Sequence, residues 1–508
     1  MNIKNWALKG CLTKIKIVNI MNFVRDYDPR YEGSAERMFA LTEKELELVQ
    51  KHGFDNTFLL QYDALINPKY QTLFKTKAND TTELGLWYEI VRPLTDAVGI
   101  KWRGREDWSW DWHIVPGFSM AYTKNERKIL IDEAMNRFKG IYGYYPKTVG
   151  SWLIDTYTAE YLVNEYNVSA IAICRDQVAT DAYTLVGGHF NTPYFPSKKN
   201  IFTPASTKEN TLNVPVFRLL GSDPAHCYDE NKYINDPDFK GCCTLEPVWK
   251  FGSNPEIVKW YFDTYFKNES LNTSYAHLGQ ENSFANAKVL EPLEMQLEML
   301  KNYPDVKIQK MCDSGEEFKA KFNGVTPASA CSALTDWANG DNMQSIYYNC
   351  KNYMANIIRV GERAYLRALY KFDETLKEHY LNTPCKTWDA LYENLPIVDT
   401  VVWPDKGGMI LDTNATPFTV SGEDETLKIC WGEKSATFTP DGITLKNLAP
   451  TLTMTGARVP MTLCSNHLDF CYKGTSYSLV LEGGTFSGKK EGSMYFNPDG
   501  DEITLKIQ

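Results

Sequence analysis

Two textures alternate along the first 300 or so residues: short apolar runs closed by a polar residue, then longer stretches with apolar positions at helical spacing. Residues 16–24, 56–62, 100–102, 148–154, 169–173, 213–220 and 273–278 read as buried strands. Between them, helices are predicted from the capping box of Thr42 and Glu45 to His52, over 83–98 with a kink at Pro93, from the capping box of Thr123 and Glu126 to about residue 139, and over 159–166, 255–266 and 290–303. Alternation at this spacing requires right-handed crossovers and a parallel sheet, either a barrel or an open doubly wound sheet. Polar residues end nearly every strand, which favours a closed or nearly closed seven-stranded β/α barrel.

The unit 148–173 shows the pattern in full. A short apolar strand delivers Asp155 to its C-terminal end, Thr156 and Thr158 offer capping hydroxyls, and Tyr161, Leu162, Val163 and Tyr166 make an amphipathic helix that Asn167 stops. In such units chemistry gathers at C-terminal strand ends. Asp155 would equally serve as the N-cap of its own helix. Arg25, Asp63, His113, Asp223 and Glu281 follow other predicted strands, so a barrel would bring all six to one end of one sheet.

Further along, 180–210 is rich in Gly, Pro and Asn and too long for an idle connector, so a lid or rim is expected. Residues 308–322 suggest one more strand and helix, and 341–380 carry a helical pattern through Ile357, Val360, Ala364, Leu366 and Leu369. After about 395, short alternating runs separated by Gly, Asp and Asn turns signal an antiparallel β-sandwich. The predicted organisation is an α/β chain with a barrel over 1–305, a mostly helical segment over 306–395 and a β-sandwich over 396–508.

Composition narrows the function. A net charge of −10 argues against a general polyanion-binding role, so no nucleic-acid partner is expected. Aromatic residues make up 13% of the chain, and flat apolar faces with a polar edge suit sugar rings as well as cores. Trp108, Trp110 and Trp112 alternate, and would present one stacking face to a sugar or to the core. Twelve Cys are scattered without a CxxC pair or a spacing typical of structural zinc, so mostly free, buried thiols are expected, with Cys464 and Cys471 facing one another across a hairpin. No run approaches the roughly 18 apolar residues of a membrane span. Lys4, Lys9, Lys14 and Lys16 interrupt the N-terminal apolar positions, so no signal-peptide core is evident; a periplasmic or secreted location would need a segment ahead of this one.

The stretches TFLLQYDAL, WDWH, GYYPKTVGSWLID, AICRDQ, VPVFRLLGSDP and GQENSF together resemble an uncharacterised bacterial family of glycoside hydrolase/deacetylase type with an all-β C-terminal domain, across nearly the whole chain. More distantly, Trp152-Leu153-Ile154-Asp155 resembles the W-x-I-D strand end of family-38 α-mannosidases, whose aspartate is both nucleophile and zinc ligand. Family-57 glycosidases, on a similar seven-stranded barrel, carry a nucleophilic carboxylate after strand four and the acid after strand seven. The resemblance therefore implies Asp155 as nucleophile and Glu281 as acid.

Glycosidic cleavage takes two carboxylates, one ionised and one held protonated. A helix start favours the anion at Asp155. Glu281, between Gln280 and Asn282 and near Phe284, suits a drier pocket that would keep it protonated, or else a structural role. Gln61, Asp63, Trp108, Trp112, His113, Arg175 and Asp223 complete the candidate substrate-binding set. Each has a plainer alternative: His113 as a core histidine or ligand, Arg175 in an ion pair, Asp223 opening an Asp-Pro turn. His189 and His226 are expected at the surface or rim.

No cofactor is certain. The mannosidase H-x-D box is replaced by Asn22-Phe23-Val24-Arg25-Asp26, and the deacetylase pattern of an Asp pair with two close His is missing. A zinc ion would depend on Asp63, His113 and Asp155 converging. The expected protein is a carbohydrate-active hydrolase that cleaves a glycosidic bond. Its rivals are a metal-dependent carbohydrate deacetylase and a catalytically inactive sugar-binding protein.

Overall fold

The computed structural model describes residues 14–180, 183–219, 223–226, 254–284, 289–337, 340, 342–399, 408–453, 459, 461–490 and 493–508. Seven parallel strands build its first layer: β1 (Ile15–Val24), β2 (Asn56–Leu60), β3 (Thr82–Trp87), β4 (Thr148–Gly150), β5 (Ala170–Cys174), β6 (Val216–Leu219) and β7 (Thr273–Leu278). Their order is β6-β5-β4-β3-β2-β1-β7, with the short strand Lys307–Ile308 added to β1. Helices cover the outside, so the strands are buried on both faces and read as near-continuous apolar runs. Among the described residues no ladder joins β6 to β7. Phe217 and Tyr275 meet there edge to face at 5.2 Å, so side chains bring the nearly closed barrel together.

Local signals hold where a cap defines the element. Thr123 and Glu126 form the capping box of helix Lys124–Tyr142, and Asn167 ends helix Thr156–Tyr166 in the left-handed region at φ 55°. The box of Thr42 and Glu45 is not a cap, because helix Ser34–His52 starts at Gly33. Thr42 there donates to the Met38 carbonyl at 2.9 Å, and Glu45 is buried against Gln280.

The third strand is also relocated. It is β3, and helix is confined to Arg92–Ala97; residues 100–102 form no strand. Glu83, which reads as a helix start, lies inside the sheet, where Thr57 and Thr148 of the flanking strands donate to it at 2.9 and 2.6 Å. Gly85 is required there, since a Cβ would come within 2.6 Å of the Thr148 carbonyl oxygen.

The helical pattern over 341–380 is in fact a meander: β9 (Met343–Asn349), β10 (Tyr353–Val360) and β11 (Arg363–Lys371), preceded by β8 (Ser329–Ala333). A bulge at Asn356/Ile357 and the two-residue turn at Gly361 shift the phase of the apolar positions, which imitates helical spacing. Within 306–395 the described helix is Met311–Phe322. The meander pairs onward through Met409–Asp412, Thr451–Thr453, Ser493–Pro498 and Gly484–Lys490, so a boundary at 395/396 cuts through one sheet. A second antiparallel sheet of eight strands packs on it as a sandwich, with Tyr348 against Phe438 at 5.6 Å.

The described part of 180–210 packs inward between barrel and meander instead of forming a lid or rim. Phe190 stacks on Tyr347 at 3.7 Å, and Tyr194 pairs through its backbone with Val216. Two histidines expected at the surface are buried. His189 faces the Cys350 carbonyl at 3.3 Å, and burial lowers its pKa to about 3; His226 Nε2 lies 2.8 Å from Asp336. The eight described cysteines are all free. Cys464 and Cys471 do not face one another, because Cys471 pairs with Ser476 and Cys464 sits at the hairpin's tip; Cys242 and Cys243 lie outside the described residues. No described helix is long and apolar enough to cross a membrane.

Candidate active site at the barrel mouth

Arg25 follows the end of β1 and organises the C-terminal end of the barrel. Its guanidinium grips Glu89, beyond β3, through Nε at 3.0 Å and Nη2 at 2.8 Å. Nη1 reaches Glu281, beyond β7, at 2.6 Å and Ser283 at 2.8 Å. Gln61, beyond β2, donates to the same Glu89. Burial lowers the pKa of Arg25, but Glu89 and Glu281 outweigh it and raise the pKa. Trp110 lies over the guanidinium at 4.5 Å, its indole N–H fixed to the Tyr27 carbonyl at 2.7 Å. Of this group Glu281 keeps an opening: its side chain is 12% accessible, against 4% for Glu89.

Asp63 follows β2 and feels the charge of Arg25. Burial first, and Asp26 second, push its pKa up to about 8, against the backbone N–H groups of Ala64 and Asp26 and the charge of Arg25. Burial also raises Asp26, whose Oδ1 accepts from Asn67 at 2.6 Å. Two nearby carboxyls that cannot both ionise cheaply keep a proton at neutral pH.

The aromatic loop forms the rim. Trp108, Trp110 and Trp112 do not share one stacking face, because the segment is not a strand: Trp110 is buried, while Trp108 and Trp112 are half-buried and touch at 5.3 Å. Arg105 covers Trp108 at 3.6 Å and Trp112 at 4.7 Å, and Arg30 lies 5.0 Å from Trp112. His113 stacks on Trp112, and its Nδ1 lies 2.5 Å from Asp111. Asp111 also takes a two-point grip from Arg105, and with His113 this outweighs burial and lowers its pKa. The exposed Trp388 meets His113 edge-on at 5.1 Å.

Asp155 belongs to another cluster. It caps its own helix through Thr158 N–H at 3.0 Å, and Arg127 pairs with the same oxygen at 2.7 Å. Its second oxygen accepts from Ser119 at 2.5 Å and from the Thr158 hydroxyl at 2.6 Å. The side chain has no accessible surface. Glu378 accepts from Thr156 N–H at 2.9 Å beside it, its pKa raised to about 8 by burial and then by Asp155. Among the described residues the Asp155 and Glu281 clusters share no hydrogen-bond partner.

The remaining predicted residues are engaged elsewhere. Arg175 is buried over the Phe190 ring at 4.2 Å, and Asp176 pairs with Arg218 at 3.1 Å. Asp223 accepts from Ala225 and His226 N–H groups at 2.7 and 3.0 Å and from the Trp337 indole at 2.6 Å, a buried version of the expected Asp-Pro turn. Asp63, His113 and Asp155 do not form a ligand trio; among the described residues the group with metal-binding proximity is Cys464, His467 and Asp469. The residues predicted to hold zinc therefore do not fit it. Glu89, Arg30 and Trp388 were not foreseen. Glu89 carries a usable signal, a buried acid just past a strand, but only once β3 is correctly located.

No protein-family model and no curated protein matches the chain. The crystal structure of a "putative glycoside hydrolase/deacetylase" from Parabacteroides distasonis shares the fold, with a TM-score of 0.55 over 75% of this chain and 91% of that one at 13% identity. Weaker overlaps are found with a "putative polysaccharide deacetylase" from Mycobacterium smegmatis (TM-score 0.37, 14% identity, 61% and 92% covered) and a "probable polysaccharide deacetylase" from Pseudomonas aeruginosa (0.36, 11%, 60% and 92%). At such identities the likeness concerns fold alone.

Proposed function

We propose that this protein is a carbohydrate-active hydrolase that cleaves a glycosidic bond at the barrel mouth, with Asp63 as proton donor and Glu281 as the facing carboxylate. The observation that carries the reading is a proton-holding carboxyl and an ion-paired carboxylate that both answer to Arg25. Asp63 is held protonated, with its pKa pushed up to about 8, while Glu281 is ion-paired and still accessible. A carboxyl that holds its proton at neutral pH can serve as the acid. Asp63 protonates the leaving oxygen as the C–O bond breaks, and Glu281 meets the positive charge growing at the anomeric carbon. Water supplies the hydroxyl that replaces the leaving group, and its proton restores Asp63. Trp112, Arg30 and Trp388 suit sugar rings at the rim. A nucleophilic Asp155 would first have to release four donors, so here it supports the wall.

The fold shared with the Parabacteroides protein supports a sugar substrate. The His113–Asp111 pair favours deacetylation as a second reading, since a carboxylate on Nδ1 prepares Nε2 to move a proton. A panel of aryl glycosides and acetylated sugars separates the two. Release of the aryl alcohol, lost in Glu281→Gln, supports glycosidic cleavage; acetate release that depends on His113 and not on Glu281 supports the second.

A further inference from the structure

The edge of the second sheet carries a cluster that the barrel chemistry does not use. Strands Met461–Leu463 and His467–Tyr472 form a hairpin joined by Cys464, Ser465 and Asn466. Leu468, Phe470 and Tyr472 point into the sandwich core, so His467 and Asp469 share the outward face. Cys464 at the tip joins them: a ligand atom from each of the three lies within 4.8 Å of the others. Thiolate, imidazole and carboxylate are zinc's usual donors, and around one ion they stand roughly 3.5 Å apart, so only a small closure is needed.

The surroundings point the same way. Asn466 Oδ1 lies 3.1 Å from His467 Nδ1, a partner that can hold the ring with Nε2 turned to a metal. Nε2 faces Asp469 Oδ2 at 3.3 Å, so an imidazole and a carboxylate donor already stand side by side. The Ser478 hydroxyl donates to Asp469 Oδ1 at 2.6 Å and so turns Oδ2 toward the site. The loop itself is pinned: Phe486 N–H bonds the Ser465 carbonyl and Leu481 N–H the Asn466 carbonyl, each at 2.8 Å, and Cys464 N–H bonds the His467 carbonyl at 2.9 Å.

We infer that Cys464, His467 and Asp469 bind a zinc-class divalent cation, with a fourth position for water and with Asn466 and Ser478 orienting the ligands. On binding, the Cys464 S–H bond gives way to a sulfur–metal bond and its proton passes to solvent, so affinity rises with pH. The ion would clamp the hairpin at the sheet edge and stabilise it by linkage. The site is independent of the barrel chemistry.

Cobalt titration of the full-length protein tests this. One ion per chain should bind with a thiolate-to-cobalt charge-transfer band in the near ultraviolet. Cys464→Ser should lack the band and Cys471→Ser should keep it. Ser478→Ala, which keeps all three ligands, should keep the band with affinity about 10–100-fold weaker. Zinc should raise the unfolding midpoint of the wild type and not of Cys464→Ser. Absence of the band from the wild type, its survival in Cys464→Ser, or unchanged affinity in Ser478→Ala would overturn the assignment.

Discussion

Glu281 and Asp155 each follow a strand of the same barrel and each pairs with a buried arginine, yet their surroundings differ. Asp155 gives both oxygens to four donors and has no accessible surface. Arg127 is equally occupied, by Asp155 and by the carbonyls of Tyr122, Met120 and Tyr380. Glu281 commits one oxygen to Arg25 and keeps some accessibility, and the same arginine's charge reaches the proton-holding Asp63. A carboxylate with every lone pair satisfied holds structure together. One with an unused oxygen and an acid neighbour has the means for chemistry, and position at a strand end does not separate the two cases.

The largest effect expected from breaking this contrast is on turnover. Glu281→Gln should lower kcat by about 10²–10³-fold with little change in unfolding midpoint, the usual range for a lost group that stabilises transition-state charge. Arg127→Ala should do the reverse. Removing one partner of a fully buried pair costs about 3–5 kcal/mol, read in denaturant unfolding.

Asp63 gives an intermediate effect, in pH dependence. Its pKa stands at about 8 in the folded chain against an ordinary 3.8, so the folded state holds the proton more tightly. Its contribution to stability is complete below about pH 4 and is lost as pH rises through about 8. Asp63→Asn should flatten that part of the stability profile. It should also remove an alkaline limb of kcat/KM near pH 8, while sparing aryl glycosides whose leaving groups need little protonation.

The smallest effect belongs to the rim. Trp112→Ala should raise KM by up to about tenfold and leave kcat nearly unchanged, since an aromatic contact is worth about 0.5–1.5 kcal/mol.

What the chain made legible follows from range. The Thr123–Glu126 box, the Asn167 stop and the Asp155 cap are local bonds, and all stand as read. β3 was hidden because burial on both faces removes polar alternation, and Glu89 was hidden with it. The meander was misread because one bulge and one tight turn reset its period. Arg25, Asp63 and Glu281 were legible as strand-end residues. The division of labour proposed for them was not, because it depends on Asp26 beside Asp63 and on Glu89 and Trp110 around Arg25, which only the folded barrel brings together.

The most direct test is turnover per folded molecule for Asp155→Asn beside Glu281→Gln, on one substrate, at a temperature below both unfolding midpoints. Asp155→Asn should be less stable but retain most of its turnover once corrected for the folded fraction, while Glu281→Gln stays folded and inactive. An inactive, fully folded Asp155→Asn beside an active Glu281→Gln would contradict the account and move the chemistry to the sealed cluster.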